Sequence, residues 1–143
     1  MRARSMLLTL AYFICALPIQ AAGLTGDWSG HWTDTKSGHT GPLHATFRQC
    51  DEDHYQVAFA GRFFKVIPFR YKVVLTVTGR TGDEVFLTGE QNLGPLFGSF
   101  TYNATATATD FVAHFCSRRY QGDFILRKCC SVAPHFNDDP AQP

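Results

Sequence analysis

Alternation of apolar and polar side chains with a period of two runs through most of the chain and restricts its fold more than any other feature. In residues 69–78, one face takes Phe69, Tyr71, Val73, Leu75 and Val77. Because successive strand residues point to opposite faces, this period indicates β-strands. No long segment shows the helical period. The pattern predicts strands at about residues 26–34, 43–50, 54–63, 69–78, 84–91, 97–107, 111–117 and 122–128.

The connections between these segments carry turn residues. Glycine, proline and acidic residues are concentrated in residues 37–42, 51–53, 79–83 and 109–110. Short, evenly spaced strands with such turns are typical of antiparallel all-β folds. The sequence therefore predicts an all-β domain, a single antiparallel up-and-down barrel of about eight strands. A β-sandwich is the alternative architecture.

The first residues have the features of a secretory leader. Arg2 and Arg4 precede an apolar run at 6–17, Pro18 ends the run, and Ala21 and Ala22 offer a cleavage site. The run is short for a membrane span, so we expect no integral membrane segment after cleavage. We predict a secreted or periplasmic protein with a signal peptide at 1–22, a β-barrel domain at 23–132 and a flexible C-terminal tail at 133–143.

Charge and motif content exclude several classes of function. Loss of Arg2 and Arg4 reduces the 13 Lys+Arg to 11, against 12 Asp+Glu. A net charge near −1 argues against nucleic acid or an anionic membrane as the partner. The chain has no nucleophile elbow, phosphate-binding glycine loop or zinc-protease motif. Asp110, His114 and Cys116 share one strand face, but residues two apart on a strand lie about 7 Å apart, so we expect no catalysis there. With no motif for another reaction or ligand, we expect no enzyme activity, no metal and no cofactor.

An up-and-down meander would bring two unusually apolar connections to one end. Residues 63–69 and 93–97 both follow odd-numbered strands, and loops are normally polar. This end would suit a ligand mouth or a docking surface, unless the side chains simply fold over and plug the barrel. The expected ligand-binding residues are Phe63, Phe64, Ile67, Phe69, Leu96 and Phe97, with Tyr71 and Tyr102 supplying polar contacts from inside.

A basic patch lies beside the apolar connection. It comprises Arg62, Lys65, Arg70 and Lys72. These side chains either attract an anionic head group or are simply the solvated outer face of two strands.

The other end of the barrel would collect the expected structural residues. If the last strand pairs with the first, Arg127 either lies on the Trp28 indole or is a solvated charge. Cys50 would reach Cys129 or Cys130 across the first strand, with a strained vicinal bond between the last two as the alternative. Cys116 falls at the apolar end and is expected to stay unpaired.

The segment Gly26-Asp27-Trp28 resembles the Gly-x-Trp opening of lipocalins, and residues 24–28 resemble the opening of avidins. Arg127 resembles the arginine that covers the lipocalin tryptophan, and a bridge from Cys50 to the tail would resemble a common lipocalin disulfide. The chain thus looks like a calycin, from an exported bacterial family. It departs from the lipocalin pattern in lacking a Thr-Asp-Tyr segment between strands six and seven. The resemblance implies a β-barrel fold and, as a general property of such barrels, the binding of small molecules.

These observations predict a non-enzymatic exported binding protein that holds a small apolar or amphipathic molecule in the barrel. The alternative is a protein-binding module, such as a periplasmic inhibitor or envelope component, that uses the same apolar loops on a filled barrel. The two functions differ in whether the phenylalanines, most of the thirteen being in the mature chain, fill the interior of the barrel.

Overall fold

A computed structural model describes residues 23–130, which form one closed barrel without helices. Its strands are β1 (Gly26–Asp34), β2 (Thr40–Gln49), β3 (His54–Phe63), β4 (Ile67–Thr81), β5 (Glu84–Asn92), β6 (Ser99–Ala106), β7 (Asp110–Cys116) and β8 (Gln121–Lys128). The predicted signal peptide at 1–22, the tail at 133–143 and residues 131–132 lie outside the described residues. Within 23–130 there is no helix long and apolar enough to cross a membrane.

Every strand pairs antiparallel with the next, and β8 returns to pair with β1 along seven residues, from Trp28 opposite Lys128 to Asp34 opposite Gly122. The predicted up-and-down barrel is therefore confirmed, and the β-sandwich alternative is wrong. This topology creates two distinct ends. We call the end with the connections after β1, β3, β5 and β7 the apolar end, and the end with the connections after β2, β4 and β6 the opposite end.

The predicted alternation places the core correctly. Inward residues of β2, β3, β6, β7 and β8 are buried in strict alternation, as in the buried Tyr55, Val57 and Phe59 of β3. Several boundaries differ by one to three residues, the most at β4, which extends beyond the predicted 69–78 at both ends. Two of these differences have clear local reasons. β2 begins at Thr40 because Gly41 and Pro42 pair with β1 instead of turning. β6 begins at Ser99 because residues 93–98 close a tight turn, in which the Gly98 amide donates to the Gly94 carbonyl at 2.7 Å.

Glycines make the seam between β1 and β8 unusually close. A Cβ atom placed on Gly122 would meet the carbonyl oxygen of Thr33, and one placed on Gly30 would meet that of Ile125, both inside van der Waals contact. Neither glycine has a positive φ, so the requirement is for space and not for an unusual backbone conformation. The absence of a side chain at these two positions lets the first and last strands approach.

Trp28 anchors the core near the opposite end. Its ring packs on Phe47 with centroids 5.3 Å apart and on Phe111 at 6.3 Å. Leu24, fully buried ahead of β1, covers this cluster, and its carbonyl accepts a 2.9 Å hydrogen bond from the Trp28 indole nitrogen. The sequence did not predict that the chain before β1 would cover the core.

The cation that lies over this tryptophan is Lys128. The predicted contact of Arg127 with Trp28 is therefore wrong, and the alternative, a solvated charge, is confirmed. Lys128 stands opposite Trp28, and its Nζ atom lies 5.7 Å from the ring centroid. Arg127 stands opposite Ser29 with a side chain 85% exposed, and its Nε donates to Asp110 at 3.2 Å. Phe124 and Leu126 point inward, so residue 127 must point outward.

The predicted disulfide from Cys50 to the tail is also absent. All four cysteines of the described residues are exposed and unpaired. The Cys129 amide donates to Asp27, which pairs with Thr46 of β2. Cys50 lies four residues further on, which at ~3.3 Å per strand residue places it beyond the reach of a disulfide.

Candidate binding surface at the apolar end

Aromatic rings from all four connections link the apolar end. The His39 ring of the first connection lies 5.1 Å from Phe64 of the second, centroid to centroid. Phe63, at the end of β3, lies 6.2 Å from Phe97 of the third connection. Phe97 in turn lies 6.5 Å from Tyr120 of the fourth. The predicted convergence of the apolar loops is therefore present, and it extends to Tyr120 on the connection after β7.

The outermost side chains of this end are apolar and face solvent. Val66 is 75% exposed, Leu96 71% and Phe64 66%. Six of the ten large exposed apolar side chains in the described residues lie at this end. We call these six the exposed tips: Phe64, Val66, Ile67, Leu96, Phe97 and Tyr120. Such a concentration of apolar surface at one end is unusual, because soluble proteins normally scatter exposed apolar residues.

The connection between β3 and β4 holds two of its residues in a strained conformation. Phe64 has φ 50° and Lys65 has φ 63°, and the Val66 amide donates to the Phe63 carbonyl at 3.1 Å. Two successive positive φ values are typical of a tight hairpin turn that favours Asn-Gly. A phenylalanine and a lysine at these positions cost stability and present both side chains outward. Strain of this kind commonly occurs at functional sites.

Relieving this strain is expected to stabilise the protein. The double variant Phe64→Asn, Lys65→Gly should raise the free energy of unfolding by about 1–2 kcal/mol, because both residues tolerate a left-handed backbone. Urea unfolding followed by circular dichroism measures the change. Val66→Asn, at the same loop but without a positive φ, is the matched control and should bring no gain. An equal gain in the control would show that the turn is not strained.

Below the exposed tips, aromatic side chains occupy the lumen. The Phe63 and Phe69 rings lie 4.4 Å apart, and Phe69 in turn lies 6.2 Å from Tyr71. Gly61, opposite Phe69, makes room for the ring: an added Cβ would come within 2.5 Å of Phe69 Cζ. Deeper in the lumen the Phe59 and Phe124 rings pack against each other with centroids 5.0 Å apart. The middle of the barrel is therefore filled with rings.

Tyr71 and Tyr102 form a polar pair inside this apolar column. Their hydroxyl oxygens lie 3.0 Å apart and share a hydrogen bond. Burial raises the pKa of Tyr102 to about 12, against which the hydrogen bond to Tyr71 acts weakly. Burial, together with the neighbouring Tyr102, raises the pKa of Tyr71 well above its ordinary value. Both phenols therefore stay neutral at physiological pH, with the Tyr102 hydroxyl donating to that of Tyr71 and no charged group in the pair.

The stability of the barrel is expected to fall as the pH rises above about 10. Unfolded tyrosines ionise near their ordinary pKa of 10.0, whereas the folded pair keeps its protons to about pH 12 or above. The folded state then binds more protons than the unfolded state, so the free energy of unfolding declines with pH, and the pair's full contribution is present only below about pH 10.

Urea unfolding between about pH 9 and about pH 11 measures this decline. The double variant Tyr71→Phe, Tyr102→Phe should show a shallower decline, because it removes both phenols. The same slope in wild type and variant would place the alkaline instability elsewhere.

The outer wall offers no comparable site. In residues 23–130, two shallow depressions lie on the outer faces of β2–β4 and β4–β6. His114 accepts or donates a 2.9 Å hydrogen bond with Asp123 of β8, and Asp110 is engaged by Arg127. These two members of the strand face shared with Cys116 are thus paired across β7 and β8. The described residues contain no group of three or more His, Cys, Asp or Glu side chains suited to a metal ion.

The predicted binding residues separate into two groups. Phe64, Ile67, Leu96 and Phe97 are exposed at the loops. Phe63, Phe69, Tyr71 and Tyr102 point into the lumen and contact one another in sequence. Trp32, whose ring lies 5.2 Å from Phe63, also belongs to the apolar end. Two features of the sequence could have identified Trp32: its inward phase in the alternation of β1 and its place just before the connection at the apolar end.

Comparisons with protein-family models, with curated proteins and with solved structures found no match to this chain.

Proposed function

We propose that this chain is a non-enzymatic exported protein that binds an amphipathic or apolar ligand through the exposed tips of a calycin-like barrel. The observation that carries the proposal is the set of six apolar side chains exposed together at one end. Burying such side chains in a complex is favourable by about 1.5–3 kcal/mol for each fully buried large side chain. Export follows from the leader-like features of residues 1–22 and the calycin assignment from the Gly26-Asp27-Trp28 opening.

The filled lumen supports a contact at the loops and not deep in the barrel. Phe59, Tyr102 and Phe124 lie within 5.0–6.4 Å of one another, centroid to centroid, in the middle of the lumen. The inward Phe63, Phe69 and Tyr71 are only partly buried, so the upper part of the column remains accessible from the apolar end. An acyl chain or similar group would then lie among the tips and over these upper rings.

A protein partner is the second candidate function, and the same filled lumen favours it. A barrel packed with its own side chains is a rigid scaffold that presents loops, as many binding modules do. The two candidates differ in whether a small amphiphile binds by itself.

Titration with a fluorescent fatty acid tests the proposal. We expect saturable binding that Phe64→Asp and Phe97→Asp weaken at least about ten-fold, since each removes apolar contact. Phe86→Asp is a matched control for Phe97→Asp, because both phenylalanines are 36% exposed and Phe86 lies on the outer wall of β5. Binding that survives both loop variants would overturn the proposed site. No binding at all, with a protein captured by the wild type and lost in Phe64→Asp, would favour the second candidate.

A further inference from the structure

Basic side chains surround the exposed tips. Arg62 and Lys65 flank Phe64, and Arg118 and Arg119 precede Tyr120. All are exposed, and in the described residues no carboxylate lies within 4 Å of them. With the neighbouring positions on the first connection and on the outer face of β4, they form what we call the basic collar: Lys36, Arg62, Lys65, Arg70, Lys72, Arg118 and Arg119.

Few acids oppose the basic collar near the apolar end. Asp34 is buried, and its carboxylate accepts hydrogen bonds from the amides of Lys36 and Ser37 at 2.8 and 3.3 Å. Asp123 is held by His114 at 2.9 Å. Glu90 remains on the outer face of β5. The surface around the tips is therefore strongly positive.

The opposite end has the reverse charge. Its connections carry Asp51, Glu52, Asp53 and Asp83, Glu84 begins β5, and Asp110 begins β7. The hydrogen bond from His54 lowers the pKa of Asp51, so this carboxylate stays ionised. Two of the bases at this end are engaged in ion pairs, Arg80 with Asp53 at 3.4 Å and Arg127 with Asp110 at 3.2 Å.

The net charge near −1 thus describes neither end of the barrel. Positive charge collects where the apolar tips are exposed, and negative charge collects at the far end. The net charge of the chain therefore does not exclude an anionic membrane, because attraction depends on the local electrostatic field and not on the total charge.

We propose that the apolar end docks on an anionic lipid bilayer, with the exposed tips inserted among the head groups and the basic collar against their phosphates. This inference rests on the proposed function and names the partner of the same surface. Apolar side chains within a rim of Lys and Arg are the general requirement for interfacial binding, each basic residue adding affinity for anionic lipid. The acidic end points away from the membrane, which fixes the orientation.

The form of the surface favours a bilayer over a protein. Val66, Leu96 and Phe64 are exposed by two thirds or more, so they project from the loops and do not line a groove. A protein partner would need a complementary pocket for each projecting side chain. A fluid bilayer accepts them without preformed shape, and the long basic side chains of the collar can reach phosphates at several positions.

Co-sedimentation of the purified protein with vesicles tests the inference. We expect binding to vesicles of phosphatidylglycerol and phosphatidylcholine in equal parts, weaker binding to phosphatidylcholine alone, and a decline with added salt because exposed charges are screened. Arg62→Gln and Arg119→Gln should each weaken binding about five-fold. Arg48→Gln is the matched control, since Arg48 is exposed, has no carboxylate partner in residues 23–130 and lies on β2 near the opposite end.

A second pair of variants, one test and one control, examines the apolar part of the surface. Val66→Ser should weaken vesicle binding several-fold, whereas Val112→Ser, on the exposed outer wall of β7, should leave it unchanged. All these side chains are exposed, and thermal unfolding checks that each variant is folded.

Three outcomes would overturn the inference in distinguishable ways. Fatty-acid binding through Phe64 and Phe97 without vesicle binding would refute the bilayer and leave the proposed function standing. Absence of both would refute both. Vesicle binding that Arg48→Gln weakens as much as Arg62→Gln would show non-specific attraction and would likewise refute docking by the apolar end.

Discussion

Gly122→Ala is expected to lower the free energy of unfolding by about 3 kcal/mol or more. The added methyl group would meet the Thr33 carbonyl oxygen across the seam and the Phe115 ring, whose Cζ atom would lie 2.8 Å away. The ring can rotate, but the oxygen belongs to the backbone of β1, which pairs with β8 at the adjacent Asp123. Relief therefore requires the two strands to separate, and this loses ladder hydrogen bonds. Urea unfolding measures the cost.

Gly30→Ala should behave similarly, since its methyl group would meet the Ile125 carbonyl oxygen on the same seam. Gly79→Ala is the matched control: its nearest neighbour would be a Phe86 carbon at 3.6 Å, an ordinary contact, and its φ is not positive. A control as damaging as Gly122→Ala would mean that alanine is costly in any strand of this barrel. A seam variant as stable as wild type would mean that closure does not depend on this close approach.

The period-two alternation of the sequence alone predicted most of the fold. The bounds of β1 and β3 match the sequence prediction to the residue, and the predicted meander correctly placed the connections after β3 and β5 at one end. Of the two alternatives for Arg127, strand alternation already favoured the solvated charge. Phe124 and Leu126 point inward, which puts residue 127 outside and residue 128 inside.

Other features had no local signal. Phe64 and Lys65 are poor residues for a left-handed turn, and only the pairing of Phe63 with Ile67 reveals that they occupy one. Whether the lumen is filled also depends on how side chains from different strands pack together. The Phe69 ring, for example, occupies space that is free only because Gly61 has no side chain. Alternation shows which side chains point inward, but it does not show whether their volumes fill the interior.

Phe124→Ala is expected to cost about 3–5 kcal/mol of unfolding free energy. The Phe124 ring lies 4.9 Å from Phe115, 5.0 Å from Phe59 and 6.0 Å from Tyr102, centroid to centroid. Its removal takes away contacts on several sides and leaves a cavity that neighbours on a closed barrel can fill only partly. Phe124→Leu keeps part of the volume, so its loss should be clearly smaller. Urea unfolding of both variants measures the difference.

The cavity left by Phe124→Ala also distinguishes loop binding from lumen binding. An apolar cavity of this kind takes up small apolar molecules such as benzene, and a ligand that binds only the folded state raises its stability. Benzene should therefore restore part of the stability of Phe124→Ala and leave the wild type almost unchanged. An equal gain in the wild type would mean that the lumen already has free space. The binding site would then have to be moved from the exposed tips into the barrel, where Tyr71 and Tyr102 would become its polar contacts.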